Sequence, residues 1–273
     1  MIEIKNISFK YAGQKNLVFD NFSLTLKESN IYGLLGKNGT GKSTLLYLIS
    51  GLLRERRGEI CYNGVDTKLR RPDVLSEIFI VPEEFDFPAL SLDAYVKLNE
   101  SFYPRFSREV LNNCLRDFEL PMTLKLNELS MGQKKKVYMS VALAAGTRLM
   151  LMDEPTNGLD IPSKSQFRKV VAQNMSNDRM LIISTHQVHD VESLLDHILI
   201  LNHSELLLDA SVADICSKYS FEFRTPAEMG DDVVYAEPSL QGNAVMARRK
   251  EGDNETQMNL ELLFDAVTKG LVK

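Results

Sequence analysis

Residues 36–43 read Gly36-Lys37-Asn38-Gly39-Thr40-Gly41-Lys42-Ser43, which satisfies G-x-x-x-x-G-K-[ST]. That spacing is the chemistry of phosphate binding. The glycines let the backbone curl until its N–H groups point inward, and the helix that follows adds its N-terminal end to the cradle. Lys42 would then reach the β- and γ-phosphates, and Ser43 would put its hydroxyl on a Mg²⁺ ion. A second cluster comes later in the chain, where the apolar run Leu149-Met150-Leu151-Met152 leads into Asp153-Glu154. Acidic residues at the C-terminal end of a buried strand lie where α/β sheets bind ligands. Asp153 is suited to hold the ion through water, and Glu154 to polarise an attacking water. For two adjacent acids alone a solvated turn is the favoured reading. The apolar run before them and the phosphate loop upstream favour the site.

The elements that must position these groups are legible in outline. Ile2, Ile4, Ile7 and Phe9, then Phe22, Leu24 and Leu26, alternate as in half-buried strands. The apolar run 31–35 ends in the glycine-rich turn, and residues 43–50 read as a buried helix stopped by Gly51. Residues 58–64 read as a hairpin arm, and 78–81 as a short buried strand ended by Pro82. From about 85 to 147 helical spacing dominates, with Val110, Leu111, Cys114, Leu115 and Phe118 on one stripe. Short continuous apolar runs return at 149–152, 180–184 and 197–201, as in a parallel sheet covered on both faces. Beyond about residue 210 the pattern weakens to short strands at 221–223 and 233–236. It closes on Leu260, Leu263, Phe264 and Val267 at helical spacing, with Asn259 as N-cap.

Composition narrows the class. The chain has 273 residues, 44% hydrophobic and 25% charged, with a net charge of −5. This is an ordinary globular mixture, neither disordered nor collagenous. The small acidic excess argues against a protein whose main work is coating nucleic acid. Cys61, Cys114 and Cys216 are far apart and form no CxxC, so free buried thiols are expected rather than zinc or disulfides. No run of 18 apolar residues occurs, and the N-terminal segment lacks the apolar stretch of a signal peptide. A cytoplasmic protein is expected, one that serves a membrane only through a partner.

The string Leu149 to Asp160, LMLMDEPTNGLD, resembles the Walker B and D-loop segment of ATP-binding cassette (ABC) ATPases. Upstream, Leu129-Ser130-Met131-Gly132-Gln133 resembles the family signature LSGGQ, and Ser184-Thr185-His186 is similar to the H-switch. The four motifs come in the family's order, and the resemblance covers residues 1 to about 209. It implies an α/β P-loop fold of ABC type: a mainly parallel core sheet, an antiparallel β subdomain, and a helical subdomain at about 85–147. A small α+β extension at 210–273 is expected to follow. It implies that Gly36 to Ser43 and Thr44 bind ATP, with Tyr11 stacking on adenine. Ser43, Asp153 and Glu83 would serve Mg²⁺, and Glu154 and His186 would be catalytic. Ser130, Met131, Gly132, Gln133 and Asp160 would contact the ATP held by a second subunit. Met131 departs from the signature's first glycine. Glu83 stands where the family has glutamine, which adds negative charge and loses an amide donor. Lys134-Lys135-Lys136 read as a solvated face of the signature helix in preference to a nucleic-acid patch.

By the same resemblance the chain is an ATPase subunit that dimerises on ATP, as a homodimer or heterodimer, and drives a separate integral-membrane permease from the inner face of the membrane. Phe85, Phe87 and Leu90 either line the groove that receives the permease or pack inside the helical subdomain. Residues 101–106 (SFYPRF) and 259–264 (NLELLF) are similar to bacterial exporter ATPases, which favours export. The alternative is a soluble ABC ATPase acting on nucleic acid or ribosomes. No long coiled coil and no second module in the sequence support it.

Overall fold

The alternation at the start of the chain becomes a pair of antiparallel strands. The computed structural model describes residues 1–273 apart from 28, 29, 241, 251, 253, 254 and 273. In it β1 (Ile2–Phe9) pairs with β2 (Phe19–Leu26), Ile2 opposite Leu26 and Ile4 opposite Leu24. The apolar members of both strands are buried on one face. On the other side of β1 lies β4 (Arg57–Tyr62), which turns through Asn63-Gly64 into β5 (Val65–Asp66). Both turn residues have positive φ, 49° and 77°, as a two-residue hairpin requires. The result is an antiparallel sheet in the order β2-β1-β4-β5.

The second sheet carries the chemistry. It comprises β3 (Ile31–Leu35), β6 (Ile78–Val81), β7 (Leu149–Asp153), β8 (Met180–Thr185), β9 (His197–Asn202) and β10 (Glu205–Ser211). The order is β10-β9-β3-β8-β7-β6, with only β10 antiparallel to its neighbour. Every residue of β7 and β8 is buried, which explains their unbroken apolar runs. The C-terminal ends of β3, β7 and β8 are neighbours, so the loops that leave them converge. From β3 the chain enters α1 (Lys42–Ile49), with Gly41 at φ 103° just before it.

The short helix α2 (Pro72–Leu75) precedes β6. Between β6 and β7 run α3 (Leu92–Asn99), α4 (Arg108–Asp117) and α5 (Met131–Ala144), each started by a serine cap, Ser91, Ser107 or Ser130. Helix α4 buries Leu111, Cys114 and Leu115, the expected stripe, while Val110 is half-buried. Of the three free thiols only Cys114 is fully buried; Cys61 and Cys216 are partly exposed, contrary to the expectation for all three. Helix α6 (Ile161–Asn174) follows the acidic pair. Near its end the buried Arg179 donates to the carbonyls of Thr147 and Asn174, each at 2.9 Å, and of Leu143 at 3.3 Å.

After β10 come α7 (Val212–Lys218), which the sequence pattern had not marked, and β11 (Tyr219–Arg224), β12 (Val233–Ser239) and β13 (Gly242–Arg248). These strands form an antiparallel sheet, β11-β13-β12, and α8 (Leu260–Thr268) packs on it. Leu260, Leu262, Leu263 and Met246 share one contiguous apolar core with Val188 and Leu194, beside the end of β8. The C-terminal segment has its own sheet but not its own core.

Candidate functional site

The loop after β3 is shaped by close contacts as much as by glycine freedom. A Cβ on Gly36 would lie 2.5 Å from the Leu201 carbonyl oxygen and 2.7 Å from Thr40 Oγ1. Gly39 and Gly41 have φ of 81° and 103°, a region L side chains avoid. The buried Thr40 hydroxyl donates to the Lys37 carbonyl at 2.9 Å and pins the turn. Lys42, also buried, lies inside the loop. Its Nζ donates to the carbonyls of Gly36 at 2.8 Å and Lys37 at 3.2 Å, and stands 4.0 Å from Glu154 Oε1. Burial lowers the Lys42 pKa, while the charges of Glu154, Asp153 and Glu83 raise it. The loop thus carries a desolvated cation facing three carboxylates.

The acidic pair is held from β8. Asp153 accepts from the Ser184 hydroxyl and is hydrogen-bonded to Ser43. Burial raises its pKa and the two hydroxyls oppose that rise. Glu154 adopts a positive φ of 44°. Its Oε2 accepts from Thr185 Oγ1 at 3.0 Å, and its Oε1 from the His186 backbone N–H at 3.1 Å. The His186 ring Nδ1 is 2.8 Å from the same Oε1. Glu83, after β6, accepts from Asn157 Nδ2 at 2.9 Å. Tyr11 contacts the first turn of α1, its hydroxyl 2.9 Å from Thr44 Oγ1 and its ring edge-on to Phe9 at 5.0 Å.

The structure therefore brings Lys42, Ser43, Asp153, Glu154 and His186 to one place, with Glu83 tied in through Asn157 and Tyr11 beside Thr44. It does not bring the signature there. Ser130 caps α5 in a reciprocal pair with Gln133, Met131 is 53% exposed, and Asp160 caps α6 through Ser163. Among the described residues no hydrogen bond or ion pair joins Ser130–Gln133 or Asp160 to residues 36–44. A Cβ on Gly132 would meet nothing closer than 3.9 Å, so packing within the chain does not demand glycine.

One expectation is overturned. Lys134–Lys136 do not form a solvated face. Lys134 pairs with Asp86 at 2.7 Å, and Lys136 donates to Gln166 at 2.9 Å. Lys135 is 4% exposed and donates to the Glu154 carbonyl at 3.0 Å. A run of like charges reads as solvent-facing only until a neighbouring loop covers it. Sequence reasoning also gave no individual role to Ser184, Thr185 and Asn157. The signal for the two hydroxyls was a Ser-Thr pair ending a wholly apolar strand; for Asn157 there was none beyond its place in the D-loop string.

For a divalent ion the oxygen set is sparse. Among the described residues no cluster of three or more His, Cys, Asp or Glu side chains forms a cage. Ser43 and Asp153 supply a hydroxyl and a carboxylate side by side. That fits Mg²⁺, which takes few protein ligands and fills its shell with water and phosphate oxygens.

A parallel sheet that ends in a phosphate loop and a buried acid pair defines a P-loop nucleoside triphosphatase. The chain belongs to the ABC transporter family, whose model matches residues 19–157. It is 32% identical over 208 residues to the ABC transporter ATP-binding protein YtrB of Bacillus subtilis, covering 76% of this chain and 70% of that protein. It is 30% identical over 229 residues to the methionine import ATP-binding protein MetN of Carboxydothermus hydrogenoformans, covering 79% and 67%. Among solved structures it is similar to the dimeric post-hydrolysis state of the ATP-binding cassette MJ0796 bound to ADP and Pi. The TM-score there is 0.68 at 25% identity, over 78% of this chain and 99% of that one. The chain is an ABC ATPase, and its fold is the family's.

Proposed function

We propose that this chain hydrolyses ATP as one half of a two-site dimer and so drives a separate permease, with export the favoured direction. One observation carries the reading. Glu154 is fixed by Thr185 and His186 beside the loop that holds Lys42, while among the described residues no hydrogen bond or ion pair joins Ser130–Gln133 of the same chain to that loop. The backbone N–H groups of residues 36–43 and the end of α1 would bind the phosphates, with Tyr11 and Thr44 on the base side. Lys42 exchanges its two carbonyl acceptors for phosphate oxygens. Glu154 takes the proton of the attacking water, and His186 holds Glu154 and the γ-phosphate in register. Ser43, Asp153 and Glu83 would hold Mg²⁺, which would supply neutralising charge to the phosphates. Ser130, Met131, Gly132, Gln133 and Asp160 would meet the partner's ATP, the N-terminus of α5 facing its γ-phosphate. At Gly132 the chain's own nearest atoms lie 3.9 Å from where a Cβ would be, so a close approach by another group is the remaining reason for glycine.

We assign the permease to a groove of about 590 Å³ between the core and the helical segment. Leu52, Leu75, Phe79, Phe102 and Tyr103 line it, and Phe102 is 68% exposed. Phe85 and Phe87 pack on Tyr138 instead, with ring centroids 4.4 and 5.6 Å away. Of the two readings for those phenylalanines, internal packing holds. No described helix is long and apolar enough to cross a membrane. In the proposed assembly a separate polypeptide spans it. The proposed location is then the inner face of the membrane, and we divide the chain into the cassette, 1–209, and an accessory segment, 210–273. Export rests on the resemblance of residues 101–106 and 259–264 to exporter ATPases.

The test is affinity capture with the Glu154→Gln variant from detergent-solubilised membranes, with and without MgATP. Recovery of a polytopic membrane protein supports the transporter reading. Recovery of soluble partners or nucleic acid alone overturns it.

A further inference from the structure

Lys135 lies beside the hydrolytic centre, and among the described residues no hydrogen bond or ion pair joins it to the phosphate loop. It projects from the first turns of α5 into the protein, and its ammonium donates to the Glu154 carbonyl at 3.0 Å. The same carbonyl already accepts the Asn157 N–H at 3.2 Å. Asn157 in turn donates its side-chain amide to Glu83 at 2.9 Å. The carbonyl is therefore satisfied without Lys135. A buried ammonium whose hydrogen-bonded partner is a neutral oxygen is costly unless nearby negative charge offsets it. That charge is present: Glu83, Glu154 and Asp153 all favour the charged form of Lys135, against the effect of burial. The centre thus holds three carboxylates and two buried lysines, Lys42 and Lys135.

We propose that Lys135 is a positioning residue of the hydrolytic centre, which clamps the positive-φ peptide of Glu154 and balances the charge that Glu83 adds. This rests on Glu154 being the group that activates water. Its N–H is held by the Ser184 carbonyl at 2.9 Å and its C=O by Lys135 and Asn157, so both ends of an unfavourable backbone conformation are fixed. The clamp also ties the signature helix to the Glu154 peptide within one chain. A shift of α5 as it meets the partner's ATP would therefore be felt at Glu154.

The test is a double-mutant cycle on the full chain, with kcat and KM for MgATP measured separately. Lys135→Met is expected to lower kcat by about 30-fold or more. Glu83→Gln, introduced into the Lys135→Met background, is expected to restore turnover by a factor at least about fivefold more favourable than its effect in wild type. A purely structural strut would show no such dependence on Glu83. If circular dichroism shows that Lys135→Met does not fold, Lys135→Gln, which keeps a donor and loses the charge, carries the same cycle. A kcat within twofold of wild type, or equal Glu83→Gln effects in the two backgrounds, overturns the proposal. Glu154→Gln run alongside separates the two levels. If it turns over ATP like wild type, the reading of Glu154 fails and this one with it; if it is inactive while the cycle shows no coupling, only Lys135 loses its role.

Discussion

Glu154→Gln is the substitution for which the geometry gives the clearest magnitude. The carboxylate accepts the backbone and ring donors of His186 at Oε1 and the Thr185 hydroxyl at Oε2. A glutamine oxygen can keep the first pair. Its amide can then donate to Thr185 Oγ1, which has a lone pair to accept it. The side chain keeps its place, and the cost to folding is about 1 kcal/mol. The proton acceptor is lost, and general-base catalysis is worth roughly 10²–10⁴ in rate. The barrier should rise by about 3–5 kcal/mol. Nucleotide affinity should hold or improve, because one negative charge 4.0 Å from Lys42 disappears. The assay is phosphate release paired with binding of a fluorescent ATP analogue. Turnover within about fivefold of wild type would refute a role for Glu154 in activating water. Binding lost in step with turnover would make it a binding residue instead.

Gly36→Ala should abolish nucleotide binding with little change in secondary structure, since its methyl would overlap the Leu201 carbonyl, which is backbone and cannot yield. Calorimetric titration with ATP checks this, and wild-type affinity would contradict it. Arg179→Leu takes the donor from the buried Thr147 carbonyl and the half-buried Asn174 carbonyl, while Leu143 keeps the Gly146 N–H, and should cost about 2 kcal/mol, or roughly 6 °C in melting temperature. A shift under 2 °C would contradict the packing described. Burial pushes the Cys114 thiol up to about 12 from an ordinary value of 9.0. At pH 8 about one molecule in 10⁴ then carries the native thiolate, so alkylation of Cys114 should need unfolding. Because the unfolded thiol ionises first, this group's contribution to stability is present below about pH 9 and is lost as pH rises towards 12.

The phosphate loop, the acid pair and the sheet that carries them were legible because each is local. A glycine spacing, an apolar run ending in carboxylates and a two-residue alternation all sit within a few consecutive positions. What escaped was made by loops meeting from different strands. Lys135 looks like a surface charge because its neighbours in sequence are lysines; its partner, the Glu154 carbonyl, comes from the end of β7. The contact between Glu83 and Asn157 joins the ends of two strands. Phe85 and Phe87 gave two readings because an aromatic pair after a strand suits a groove or a core; they pack behind Tyr138, which lines the groove in their place, and join the core. The C-terminal strands were visible only as fragments. Their apolar residues are completed by the core beside Val188 and Leu194, so no full pattern lies within the segment itself.

In the proposed function each active site is built from two chains, with the Glu154 of one facing the signature of the other. Ser130→Arg and Glu154→Gln, each alone, should be inactive. Mixed in equal amounts before ATP is added, half the dimers are mixed and each holds one intact site, so turnover should recover to about one quarter of wild type. No recovery in the mixture, or wild-type turnover by Ser130→Arg alone, would contradict the account.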